Sequence, residues 1–225
     1  MDITRRGFLK GAIGLAGAGM TGALTVPALK SLLPPPVTRC NEDEAHATLT
    51  YKKESGKWYE NKSGNTAKIE DFKNLWDVAI VNWAPKELEA ELGSCEIQLA
   101  LIKVPTENGM EGLGITTDGG NNTMMAYHTY KCPHLCCKPV FTPEGTSTIS
   151  GDGYLNMFLC PCHLSMFDPV SVIKNKDEQG REVMAAELLE GPAPYGLPVV
   201  PISEENGGLI GLTTHLDWLK YCGQG

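Results

Sequence analysis

Hydrophobic positions change character twice along the chain. Residues 7–29 form a Gly/Ala-rich apolar run, with Lys10 its one charged residue. Pro34, Pro35 and Pro36 follow, and then a mostly polar stretch to residue 48. From about residue 49 short β-rich runs are separated by turns. They are DVAIVNW (77–83), EIQLALIKV (96–104), TMMAYHTY (123–130), YLNMFLC (154–160) and LPVVPI (197–202), with GGLIGLT (207–213) after an acidic turn. Runs of this length bounded by turn residues predict strands. KELEAELG (86–93) predicts a short helix stopped by Gly93. With 15 prolines and 25 glycines, the body reads as one all-β, antiparallel domain over residues 49–225.

The first run carries an address. Arg5-Arg6 ahead of a mildly apolar segment marks a twin-arginine export signal. That route moves folded proteins, which suggests a cofactor inserted before export. As a helix, residues 7–29 would reach roughly 35 Å, enough for a bilayer core of about 30 Å. The one small-x-small site, Ala45-His46-Ala47, lies awkwardly far downstream, so a retained anchor over residues 1–32 is favoured. Arg5, Arg6 and Lys10 place the N-terminus in the cytoplasm and the rest outside a bacterial or archaeal cytoplasmic membrane. Residues 33–48, stiffened by three prolines, read as a linker hinge.

Charge narrows the partners. The 225 residues carry a formal net charge of −8. Residues 1–36 hold Arg5, Arg6, Lys10 and Lys30 against Asp2, so +3, which leaves −11 for the remainder. Nucleic acid is excluded as a partner, because phosphate binding needs a basic face. An acidic body favours a basic partner surface.

Eight cysteines then change the picture, for five of them fall in two short boxes. Cys132-Pro133-His134-Leu135-Cys136-Cys137 and Cys160-Pro161-Cys162-His163-Leu164-Ser165 each follow an expected strand, where loop ligands converge on a rigid base. A zinc site of two Cys and two His would draw one of each from each loop, an unusual pairing for zinc. A pure disulfide scaffold suits an exported chain but leaves both histidines unexplained. A [2Fe–2S] cluster in which two His replace two Cys on one iron accounts for the parity of the boxes. It also leaves Cys137 and Cys162 over, one per loop.

CPHLCC followed by CPCHLS resembles the paired boxes of Rieske iron–sulfur proteins, in particular those of cytochrome bc complexes. Gly191-Pro192-Ala193-Pro194-Tyr195-Gly196-Leu197-Pro198 resembles the family's Pro loop. The resemblance implies a Rieske-type β-sandwich with a small cluster-binding subdomain at about 128–197. It implies Cys132 and Cys160 on one iron, His134 and His163 on the other, and a Cys137–Cys162 disulfide. Leu135 would shield the cluster, Pro192 would cover its third side, and Ser165 would donate to a bridging sulfide. His163 would take a proton, and the cluster an electron, from quinol. The implied partners are a cytochrome b-type quinol-binding membrane subunit and a c-type cytochrome or equivalent acceptor. On this reading the chain is an electron carrier within a quinol-oxidising complex rather than an enzyme alone. The alternative is the Rieske small subunit of an arsenite-oxidase-type molybdoenzyme; a neighbouring gene for cytochrome b or for a molybdopterin subunit would separate the two.

Departures from the family pattern are specific. Residues 135–159 make a longer spacer than usual, read as an enlarged hairpin around 142–153. Cys136 and Leu164 stand where glycine is usual. Phe167 replaces a tyrosine of high-potential members, which implies a lower-potential quinol. Cys40, Cys95, Cys136 and Cys222 receive no pairing. His46 and His215 read as surface residues, His128 as a core or surface residue, and the four tryptophans as packing.

Overall fold

The computed structural model describes residues 48–83, 97–135, 137–146, 153–176, 180 and 182–212. The expected anchor, hinge and 86–93 helix lie outside them, as do Cys40, Cys95, Cys136, Cys222, His46, His215 and Trp218. Among the described residues no helix is long and apolar enough to cross a membrane.

The described chain is antiparallel β-structure. One five-stranded sheet has the order β1 (Thr50–Tyr51), β2 (Val78–Trp83), β3 (Ile97–Pro105), β5 (Asn122–His128), β4 (Ile115–Thr117). A second has the order β10 (Leu197–Pro198), β9 (Glu182–Glu190), β8 (Met166–Lys176), β7 (Gly153–Leu159), β6 (Val140–Thr146). A two-stranded sheet pairs β11 (Ile202–Glu205) with β12 (Gly208–Gly211).

The first sheet is covered on both faces, which is why β3 is almost continuously apolar rather than alternating. Successive side chains point to opposite faces. Leu99 and Leu101 of β3, with Met124 and Ala126 of β5, enter a core with Tyr51, Tyr59, Phe72 and Leu209. The intervening Ala100, Ile102, Met125 and Tyr127 enter a second core, which they share with Phe158, Phe167, Val172, Ala186 and Leu197 of the second sheet. Full burial of each Phe contributes about 1.5–3 kcal/mol. Tyr127 Oη also donates to Pro169 O at 2.5 Å, tying the sheets together by a buried hydrogen bond. Cys132 and Cys160 lie in this second core.

Most expected strands form within a residue or two of their expected ends. The 197–202 run instead divides. Leu197 and Pro198 pair with β9, Val200 N donates to Ala126 O at 2.9 Å, and Ile202 begins β11. The segment passes from one sheet to another, and Pro201 lacks the donor that would continue the ladder. β8 and β9 carry no clear strand pattern of their own. β9 is EVMAAELLE, rich in helix-favouring residues; pairing with β8, from Ile173↔Ala185 to Lys176↔Glu182, makes it a strand. β8 accommodates Pro169 inside a register shift between Asp168 and Val172. Where an enlarged hairpin was expected, β6 and β7 pair in regular register from Val140↔Leu159 to Thr146↔Gly153, and residues 147–152 between them lie outside the described ones.

Candidate metal centre

Register brings the two cysteine boxes together. The first box ends just before Val140, where β6 begins, and the second starts just after Leu159, where β7 ends. Val140 and Leu159 are cross-strand partners, so both boxes emerge at the same end of the hairpin. Each closes on itself: Cys132 N donates to Cys137 O at 2.5 Å, and Cys160 N donates to Ser165 O at 2.8 Å. Cys137 and Cys162 are joined by a disulfide with a Cα–Cα distance of 6.3 Å. The loops are thereby clamped side by side.

The segment after β9 forms the third wall. Gly191 has φ +98, and a Cβ there would lie 2.4 Å from Ser165 Cα and 2.8 Å from Ser165 Oγ. Only glycine passes this close. Ala193 N donates to Ser165 Oγ at 3.1 Å. The Ser165 hydroxyl therefore accepts from the third loop and keeps its own proton to donate. Pro192 lies exposed beside this contact. Gly191 and Ala193 belong to the segment that resembles the Pro loop, but only Pro192 was given a role from sequence; the Gly-Pro step at the start of the segment is the local signal for a close approach.

The donors come in two pairs. Cys132 and Cys160 are buried thiols, and their side chains are hydrogen-bonded partners. Burial pushes the Cys132 thiol up to about 12, the backbone amides of His134 and Leu135 oppose that rise, and Cys160 adds to it. Buried thiolates need a cation beside them, and binding one releases the protons. The His134 and His163 rings meet edge to face with centroids 4.6 Å apart. His163 is exposed and His134 half-buried. His134 Nδ1 is buried without a hydrogen-bond partner, a lone pair that a metal would satisfy. Among the described residues no three His, Cys, Asp or Glu gather as one ion site. A pair of buried thiols and a pair of touching imidazoles thus stand on the same two clamped loops.

Leu135 is 61% exposed at the tip of the first box. Leu164 has φ +62, the left-handed conformation that glycine adopts freely, so the backbone is glycine-like at the position where glycine was expected. Phe167 is fully buried opposite Phe158 on β7 and Leu188 on β9. His128 is a core residue, at the end of the strand that leads into the first box, and burial lowers its pKa to about 3. Partial burial also lowers Lys131 below its ordinary value. Trp83 packs in the first core and Trp76 stacks on Phe141.

No protein-family model and no curated protein matches the chain.

Proposed function

We propose that this chain is a Rieske-type electron-transfer protein that holds a [2Fe–2S] cluster between Cys132, Cys160, His134 and His163. The observation that carries the reading is the paired donor set, one buried thiol and one imidazole from each of two disulfide-clamped loops, with the two imidazoles touching. Such a cluster supplies one-electron redox chemistry when bound. The fold assignment that accompanies it is a Rieske-type sandwich with a cluster-binding subdomain at about 128–197.

The chain's own groups have distinct tasks. Cys132 and Cys160 give up protons to become ligands, helped by the amides of His134 and Leu135 that point at the Cys132 sulfur. Phe158 and Phe167, packed in the core that holds both cysteines, exclude water from that side. Ser165, fixed by Ala193 N, directs its hydroxyl proton away from that bond. With Nδ1 assigned to the metal side on both rings, as its burial on His134 suggests, Nε2 of exposed His163 accepts a hydrogen bond from a quinol hydroxyl. It then holds the proton released on oxidation. The quinol is presented by a cytochrome b-type membrane subunit, and a c-type cytochrome or equivalent accepts the electron. A retained N-terminal anchor keeps the domain at the outer membrane face.

The test is iron and sulfide analysis of the purified full chain, together with its electron-resonance spectrum in the reduced state. A mixed-ligand binuclear iron signal, lost in Cys160→Ser and altered in His163→Cys, is the expected result. Stoichiometric zinc with no such signal overturns the proposal.

A further inference from the structure

Apart from the two histidines, every charged residue in the three loops of the centre is a lysine. Residues 131–138, 160–165 and 191–197 contain Lys131 and Lys138 and no Asp, Glu or Arg, in a chain of net charge −8. Both ammonium groups lie against one ring. Lys131 Nζ is 5.8 Å and Lys138 Nζ 4.9 Å from the Tyr130 centroid. The two charges are thus held within about one Debye length, ~10 Å at 0.1 M salt. Lys138 also donates to Gln98 Oε1 at 3.3 Å. Among the described residues the ion pairs within 4.0 Å involve other lysines.

Apolar surface accompanies the charges. Leu135 stands between the lysines in the chain and is 61% exposed; Val140, two residues beyond Lys138, is 49% exposed. An apolar centre with a charged margin is the layout of a protein docking site. We infer that the first box is a docking surface for a protein partner that presents an acidic patch around an apolar centre. The acidic body alone points to a basic partner, but contact at the centre is governed by the nearest charges, since distant ones are screened. An anionic membrane would attract the same lysines. Recognition of that kind rests on clusters of roughly four to eight basic residues, and two fall short. Only the partner's role as electron donor or acceptor rests on the proposed function; its charge does not.

The experiment titrates the full chain, in detergent at low salt, into fluorescein-labelled octa-glutamate and follows anisotropy. Wild type is expected to bind, with affinity falling as salt is added. Lys131→Gln with Lys138→Gln is expected to weaken binding at least about fivefold, and Lys138→Glu alone to weaken it further than Lys138→Gln. Lys174→Gln with Lys176→Gln, on the far part of β8, is expected to leave it within about twofold. No binding by wild type, or equal loss in the β8 control, overturns the inference. Capture by phosphatidylglycerol vesicles that exceeds capture by phosphatidylcholine vesicles and is lost in the Lys131→Gln with Lys138→Gln variant, without octa-glutamate binding, assigns the lysines to lipid and also overturns it. Peptide binding through Lys131 and Lys138 in a chain without the cluster signal supports the surface while refuting the cofactor reading.

Discussion

Replacing both Cys137 and Cys162 by alanine removes the clamp without leaving an unpaired thiol. The bridge spans a sequence separation of 25. A loop of that size costs the unfolded chain about 3.5 kcal/mol of closure entropy when it is cross-linked. Native hydrogen bonds within each box, Cys132 N to Cys137 O and Cys160 N to Ser165 O, do not depend on the sulfurs and survive the change. The loss therefore falls chiefly on the unfolded state. Urea unfolding, followed by the fluorescence of buried Trp83, should show stability lower by about 3.5 kcal/mol. The slope against urea should steepen, because an uncrosslinked chain exposes more surface. If the β6–β7 hairpin persists after unfolding it keeps the ends close, and the loss shrinks toward about 2 kcal/mol. A loss below about 1 kcal/mol with an unchanged slope refutes the reasoning, and so does wild type that loses nothing under dithiothreitol.

Three further outcomes follow from the packing around the centre. On the proposed cluster reading, Phe167→Tyr is expected to raise the one-electron potential by roughly 20–65 mV, the equivalent of one added hydrogen bond of about 0.5–1.5 kcal/mol; potentiometric titration checks it, and no upward shift refutes it. Gly191→Ala is expected to cost about 2–4 kcal/mol, since its Cβ meets Ser165 Cα and N at a φ of +98, and urea midpoints of variant and wild type measure the difference. His128 is held neutral by burial, with its pKa lowered to about 3. Its stabilising contribution is complete above the unfolded value of about 6.5 and is lost as pH falls toward 3, by about 1.4 kcal/mol per unit. Unfolding free energies at pH 7 and pH 5 should differ less in His128→Phe than in wild type by about 2 kcal/mol; equal differences refute the assignment.

What could be read from the sequence depended on whether the cause was local. β2, β3, β5 and β7 were legible because each is a short apolar or aromatic run between turns, a pattern the chain shows without its partners. β9 was not, since Met184, Ala185, Ala186, Leu188 and Leu189 favour helix locally and only the β8 register overrides them. Nor was β8, whose Pro169 reads as a break and is absorbed by a register shift. At the centre, the cysteines and histidines were visible by type and spacing. The close pass of Gly191 over Ser165 was not, because it depends on two segments 26 positions apart that only the fold brings into contact.

Leu164 shows how a residue can depart from a pattern while the backbone keeps it. The resemblance places glycine there, and leucine at φ +62 carries a steric cost of about 1–2 kcal/mol. That conformation is over-determined by its surroundings. Leu164 N donates to Cys160 O at 2.9 Å, Cys160 N to Ser165 O, and Ser165 Oγ receives Ala193 N. Cys162, two residues earlier, is covalently fixed to Cys137. A turn held at four points tolerates an unfavourable residue that a free turn would reject. The requirement at position 164 is therefore one of backbone geometry, which keeps Cys160 buried in the core while His163, three residues on, faces outward beside His134. The same four constraints explain why the site is legible from its cysteines and histidines even where a supporting residue has changed.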